Sequence, residues 1–136
     1  MNVKSIYINL PVRDLAKTRE FWTKLGFSFN EQFSDDKALC LILSDPTMYS
    51  MMISHEFFQT FCNRPIADGS TSQVLIAIEV ESREKVDEIT SLALENGGTR
   101  YRESADHDWM YYDSFADPDG HQWEVMFTDL SKMPSE

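Results

Sequence analysis

The sequence predicts an α+β domain made of two similar halves, each running strand, helix and then three strands. Two observations carry this. Short stretches of period-two hydrophobicity alternate with single stretches of helical spacing that stop at glycine. The same landmarks then return in the same order: a strand ending in Val12 or Val80, a helix closed by Gly26 or Gly97, and an Asp-Pro pair, Asp45-Pro46 or Asp117-Pro118, before the last strand of the half.

In chain order, residues 4–12 alternate, with Ile6, Ile8, Leu10 and Val12 on one face and Tyr7, Asn9 and Pro11 on the other. Asp14 stands where a helix N-cap belongs, and Leu15, Thr18, Phe21, Trp22 and Leu25 follow at helical spacing. Phe27 to Phe33 alternates again, 34–37 is a charged turn, and ALCLIL is an apolar strand. A turn at Ser44-Asp45-Pro46-Thr47 leads to a strand from Tyr49 to Ile53 and a short helix over 54–62. Residues 63–71, rich in Pro, Gly and hydroxyl side chains, form the linker between halves placed at about 1–62 and 72–128 of one domain spanning 1–136. Beyond it, Gln73 to Val80 alternates, and 82–96 is a helix whose apolar positions are Val86, Ile89, Leu92 and Leu94. Thr99 to Arg102 and Trp109 to Phe115 read as strands around a polar loop. Asp117-Pro118-Asp119-Gly120 is a type I turn signal, Gln122 to Phe127 is the last strand, and 129–136 fray.

Hydrophobic residues make up 42% of the 136 and charged residues 26%, a folded composition. The net charge of −11, from 23 acidic against 12 basic residues, repels phosphate backbones and anionic lipid, so neither nucleic acid nor membrane is an expected partner. The first residues read as a strand of the fold rather than a signal peptide. Cys40 and Cys62 lie in apolar segments outside any CxxC pair, which suits buried thiols in a reducing cytoplasm and leaves a disulfide open. No Gly-rich phosphate loop, nucleophile elbow or His-Glu-x-x-His pattern is present.

The string INLPVRDLAKTREFWTKLGF resembles the opening of the glyoxalase/bleomycin resistance/extradiol dioxygenase (vicinal oxygen chelate) superfamily, with its V-x-D-L, F-[WY] and L-G-F. The ending FADPDGHQWEVMF resembles its closing D-P-D-G-x-x-x-E hairpin, and INLPV, SHEFF and DGHQWEVM are similar to the group labelled predicted lactoylglutathione lyases. The resemblance covers residues 4–128. It implies two βαβββ modules that curve mixed sheets into a cup for a small organic molecule, and two copies that pair as a homodimer. In the enzymes it implies a divalent metal (Zn, Ni, Fe or Mn) held by His, Gln or Glu for Lewis-acid chemistry.

Aligned on those motifs, the ligand places fall on Tyr7, Met52, Leu75 and Glu124. Only Glu124 keeps a usual ligand type. Leucine does not coordinate, a thioether is too soft for these metals, and a neutral phenol is weak. Asn9, Gln73 and His121 are the conceivable helpers, so the standard metal site is expected to be absent. Parity sets Trp123, Val125 and Phe127 on the packed face of the last strand and turns Gln122, Glu124 and Met126 to the cup, as it does Tyr7 and Asn9. Glu124 therefore reads as a catalytic or anchoring carboxylate, or else as a hydrated rim group. Tyr7, Asn9, Met52, Leu75 and Gln122 read as ligand-binding positions or as core. His55 and His107 read as surface, and the loop around His107 as a solvated hairpin or a lid. Met48, Met51 and Met52 suggest an adaptable apolar lining. The resulting expectation is a binder of a small organic molecule, or an enzyme acting on one, without the family's metal. The alternatives are a metal-dependent lyase, isomerase or dioxygenase with Glu124 as ligand, and a non-catalytic interaction module whose cup is filled.

Overall fold

The computed structural model describes residues 1–135, which form two compact units, one over Met1–Asp68 and the other from Gly69 onward. Each unit is a strand, a helix and three strands closed into one four-stranded sheet, so the α+β fold of two similar modules is as expected.

In the first unit β1 (Ile6–Val12) is followed by α1 (Leu15–Lys24), β2 (Ser28–Phe29), β3 (Ala38–Ser44), β4 (Met48–Ser54) and the short helix α2 (His55–Gln59). The sheet order is β1-β4-β3-β2, with β1 and β4 parallel and the other pairs antiparallel. Asp14 caps α1 by accepting from the Lys17 N–H at 3.1 Å, and Gly26 ends the turn at φ +96°. Only part of the 27–33 alternation is strand. Asn30 accepts from the Gln32 N–H at 3.0 Å and bends Glu31–Phe33 into a 3₁₀ turn, the local side-chain bonding by which asparagine competes with a strand.

The second unit holds β5 (Ile76–Glu79), α3 (Arg83–Glu95), β6 (Ala105–Asp106), β7 (Met110–Ala116) and β8 (Gln122–Thr128), in the order β5-β8-β7-β6. Strand β5 is shorter than its hydrophobic pattern, so Gln73, Val74 and Leu75 lie outside it. Helix α3 buries Val86, Ile89, Thr90 and Ala93. Fully buried Ala93 stands in this stripe where Leu92 and Leu94, both only partly buried, were predicted. The predicted strand at 99–102 reduces to a single bridge between Thr99 and Ala116, and the polar loop instead supplies β6. That hairpin is pinned to α3 by the two-pronged Arg83–Asp106 ion pair, at 2.7 and 3.0 Å. A 3₁₀ turn, Leu130–Lys132, occupies part of the expected frayed tail, and Glu136 lies outside the described residues.

Each core sits between one helix and one sheet face. Val12, Phe21, Trp22, Leu41 and Met52 are buried in the first unit, and Val86, Ala93, Phe115, Trp123 and Val125 in the second. The Asp-Pro turn of the second unit is built around Asp117. Its buried carboxylate accepts from the Asp119 and His121 N–H groups at 3.0 Å and from the Trp123 indole N–H at 3.1 Å. Burial pushes this carboxyl up, against the opposing pull of His121 and the N–H donors.

Candidate functional site

The strand register decides which side chains face away from the helices. In the first unit Arg19 of α1 lies over the Phe29 ring, which puts Phe29, its partner Leu41 and, across the next pair, Ser50 on the α1 face. Met52 shares that face. It receives a weak contact from the Ser50 hydroxyl at 3.7 Å, pairs with Leu10 and Leu39, and has no exposed surface. Tyr7, Asn9, Tyr49, Met51 and Cys40 stand on the opposite face, since Tyr7 pairs with Tyr49, Asn9 with Met51 and Cys40 with Met51.

The expectation that Met52 lines the open face is therefore corrected: Met51 does. The physical reason is turn length. Counted from the Asp-Pro pair, Glu124 is seventh after Asp117 and Met52 seventh after Asp45. The residue paired with Asn9, three before Val12, is only sixth after Asp45, however, whereas the residue paired with Ala77, three before Val80, is seventh after Asp117. One residue of difference flips every later side chain to the other face. Met51, opposite Asn9, is the structural counterpart of Glu124, which pairs with Ala77.

On this first face a cavity of about 490 Å³ is lined by Tyr7, Gln32, Phe33, Ser34, Asp35 and Met51. The Tyr7 ring is half exposed and stacks on Tyr49, with centroids 4.8 Å apart and planes 15° from parallel. Tyr49 donates its O–H to Asp45 at 2.6 Å, and that bond leads the causes that push its pKa up to about 12. Cys40 is buried beneath this face, and burial raises its thiol pKa. Both cysteines are free thiols, and Cys62 is only partly covered.

The corresponding face of the second unit follows from Tyr111, which reaches Asp87 on α3 and so sets Phe127, Val125 and Trp123 on the helix side. Glu124, Gln122 and Met126 face the other way with Ser114 and Tyr112. The Glu124 carboxylate makes no hydrogen bond or ion pair among the described residues. It lies close enough to Tyr101 to add to the burial that raises the Tyr101 pKa. The Tyr101 hydroxyl contacts the Trp123 carbonyl at 3.4 Å, and the Ser72 hydroxyl donates to the Gln122 side chain.

Tyr7 and Asn9 thus occur together on one face, and Gln122 with Glu124 on the other unit's face. Leu75 is half exposed just before β5, and Gln73 is exposed in the segment ahead of it. His121 sits beside the buried Asp117 in the turn. His55 opens α2, and His107 lies against Tyr112 with ring centroids 6.0 Å apart. Residues 32–35 were not among the site residues expected from the sequence. The signal for them was Asn30, whose capping habit turns the following residues out of the strand.

The metal that the resemblance implies does not fit this donor set. With the register corrected, the family's ligand places carry Tyr7, Met51, Leu75 and Glu124, which is one hard oxygen donor among a phenol, a thioether and a hydrocarbon. Among the described residues no group of three or more His, Cys, Asp or Glu side chains is arranged to hold a metal ion. No helix among them is long and apolar enough to cross a membrane.

Paired βαβββ units with open sheet faces define a class of α+β proteins, and the comparisons place the chain within it. Residues 4–125 match the family model of the Glyoxalase/Bleomycin resistance protein/Dioxygenase superfamily, and the chain belongs to that superfamily. Among solved structures it is similar to a hypothetical protein from S. aureus, at TM-score 0.78 and 26% identity, covering 93% of this chain and 95% of that one. A glyoxalase-related enzyme from Fulvimarina pelagi aligns at TM-score 0.77 and 18% identity over 93% and 89% of the two chains. A bleomycin resistance determinant encoded on the transposon Tn5 aligns at TM-score 0.59 and 18% identity over 93% and 99%. These last two share the fold. Comparison with curated proteins returned no match.

Proposed function

We propose that this chain binds a small organic molecule on a sheet face turned away from its own unit's helix, and that it does so without the family's metal. The observation that carries the reading is the cavity of about 490 Å³ against Tyr7 and Met51. Its volume lies in the range of small-molecule pockets, and its lining mixes aromatic and thioether groups with a few polar ones. On the second unit's face Glu124 supplies an acceptor that no described residue uses, suited to anchoring a ligand's N–H or O–H or to carrying a proton. Pairing of two copies and a cytoplasmic place belong to the same reading.

Purified protein refolded with Zn or Ni and then desalted is expected to carry far less than one metal per chain; stoichiometric metal overturns the metal-free part. A thermal-shift screen with small aromatic compounds and thiol conjugates is expected to raise the melting temperature for some of them, and a screen without a hit overturns binding. Glu124→Gln is expected to alter ligand binding while moving the free protein's melting temperature by only about 2 °C. Sedimentation equilibrium tests the pairing, and a monomer across micromolar concentrations would refute it.

A further inference from the structure

Resting on that reading, we propose that the cavity of the first unit selects organic cations, molecules with an aromatic or alkyl body that carries a positively charged nitrogen. Of the six lining residues, Asp35 alone is charged in its ordinary state, and no Lys, Arg or His is among them.

The Asp35 carboxylate is held in place by its own turn. Its Oδ1 accepts from the Lys37 N–H at 2.8 Å and from the Ala38 N–H at 3.0 Å. Oδ2 takes no hydrogen bond among the described residues, so one oxygen positions the group and the other is left for a ligand. The nearest cation in sequence does not neutralise it. Lys37 turns its ammonium to the Phe57 ring, 5.3 Å from the centroid.

The same cavity is lined by two aromatic residues with uncovered surface. Tyr7 is 48% exposed and braced from behind by Tyr49, and Phe33 is 59% exposed. The negative face of an aromatic ring attracts a cation, and a carboxylate beside it adds Coulomb attraction and a hydrogen-bond acceptor. Met51 adapts to the ligand's apolar body. An anionic ligand meets the reverse. It finds no counter-charge in the lining, a like charge at Asp35, and a chain of net charge −11 that repels its approach. Carboxylates, phosphate esters and glutathione-type conjugates are therefore disfavoured in this cavity, while neutral aromatics gain only from apolar contact.

The test uses three probes with one body: naphthylmethylamine, naphthylmethanol and naphthoate. Binding to the full chain is followed by calorimetry and by the methyl signal of Met51, assigned with Met51→Leu. The amine is expected to bind about tenfold more tightly than naphthoate at low salt, with the alcohol between them, and to lose most of that preference at roughly 0.5 M salt. Asp35→Asn, which keeps the Oδ1 acceptor of the turn, is expected to collapse the preference, the amine losing affinity and naphthoate gaining it. Tyr7→Leu is expected to weaken all three probes. Naphthoate binding as tightly as the amine, or a preference unchanged in Asp35→Asn, overturns this inference and leaves the binding proposal standing. No binding by any probe overturns both.

Discussion

Alanine substitution at Met52 and, separately, at Met51 tests the register that defines the site. Met52 has no exposed surface and is packed on the α1 face between Leu10 and Leu39. Truncation removes Cγ, Sδ and Cε, each worth ~0.8 kcal/mol as a buried methylene-sized group. The hole that remains adds a further term, because neighbours in two strands and a helix relax only in part. The expected loss is about 3 kcal/mol, within the ~2–5 kcal/mol of such truncations. Met51, on the open face at the cavity, leaves space that water or a ligand fills, so its truncation is expected to cost under about 1 kcal/mol. Urea unfolding followed by the fluorescence of the buried Trp22 and Trp123 measures both, provided the slope with denaturant is unchanged. Equal losses, or a larger loss at Met51, would show that β4 is shifted by one residue against β1, and the assignment of Met51 as the counterpart of Glu124 would fall.

Three further outcomes are expected. Asp117→Ala strips the acceptor from three N–H donors, each costing roughly 1–3 kcal/mol when left dry. Since the turn's two backbone donors are only part-buried, urea unfolding is expected to show a loss of about 3 kcal/mol, and one under ~1 kcal/mol refutes the anchoring role. Tyr49 and Tyr111, bonded to Asp45 and Asp87, are expected to ionise near pH 12 in an ultraviolet titration. Because their folded pKa values are raised, the stability these bonds supply is full below the unfolded value of ~10 and is lost as pH rises toward about 12. All five tyrosines ionising together near ~10 would contradict this. Asp106, held down to about 2 chiefly by its hydrogen bonds from Arg83, contributes stability that is present above the unfolded value of ~3.9 and lost as pH falls toward about 2. Carboxyl NMR is expected to show its pKa returning to the ordinary range in Arg83→Met, and a wild-type value near ~4 would remove the ion pair from the account.

Much of the fold was legible because it rests on local rules. Asp14 and Ser82 each accept from an N–H three residues on, and Gly26 and Gly97 take positive φ, so both long helices begin and end where their sequence signals stand. Errors arose where two local rules competed. Asn30 diverted an alternating segment into a 3₁₀ turn, and Gln73 to Leu75 kept a strand's pattern without a strand's pairing.

By itself the sequence determined the repeated strand–helix–strand order, the superfamily, and the poverty of hard metal donors at the family's ligand places, all of which depend on residue types and their order. The tertiary structure alone decided which residues share a face. Pairing with β1 and β3 put Met52 into the core and Met51 on the open side, because a strand's side chains alternate and a one-residue difference in a distant turn reverses them. It likewise gathered Tyr7 with Phe33 and Asp35 around one cavity. That meeting depends on how strands align across the sheet, and no stretch of neighbouring residues records it.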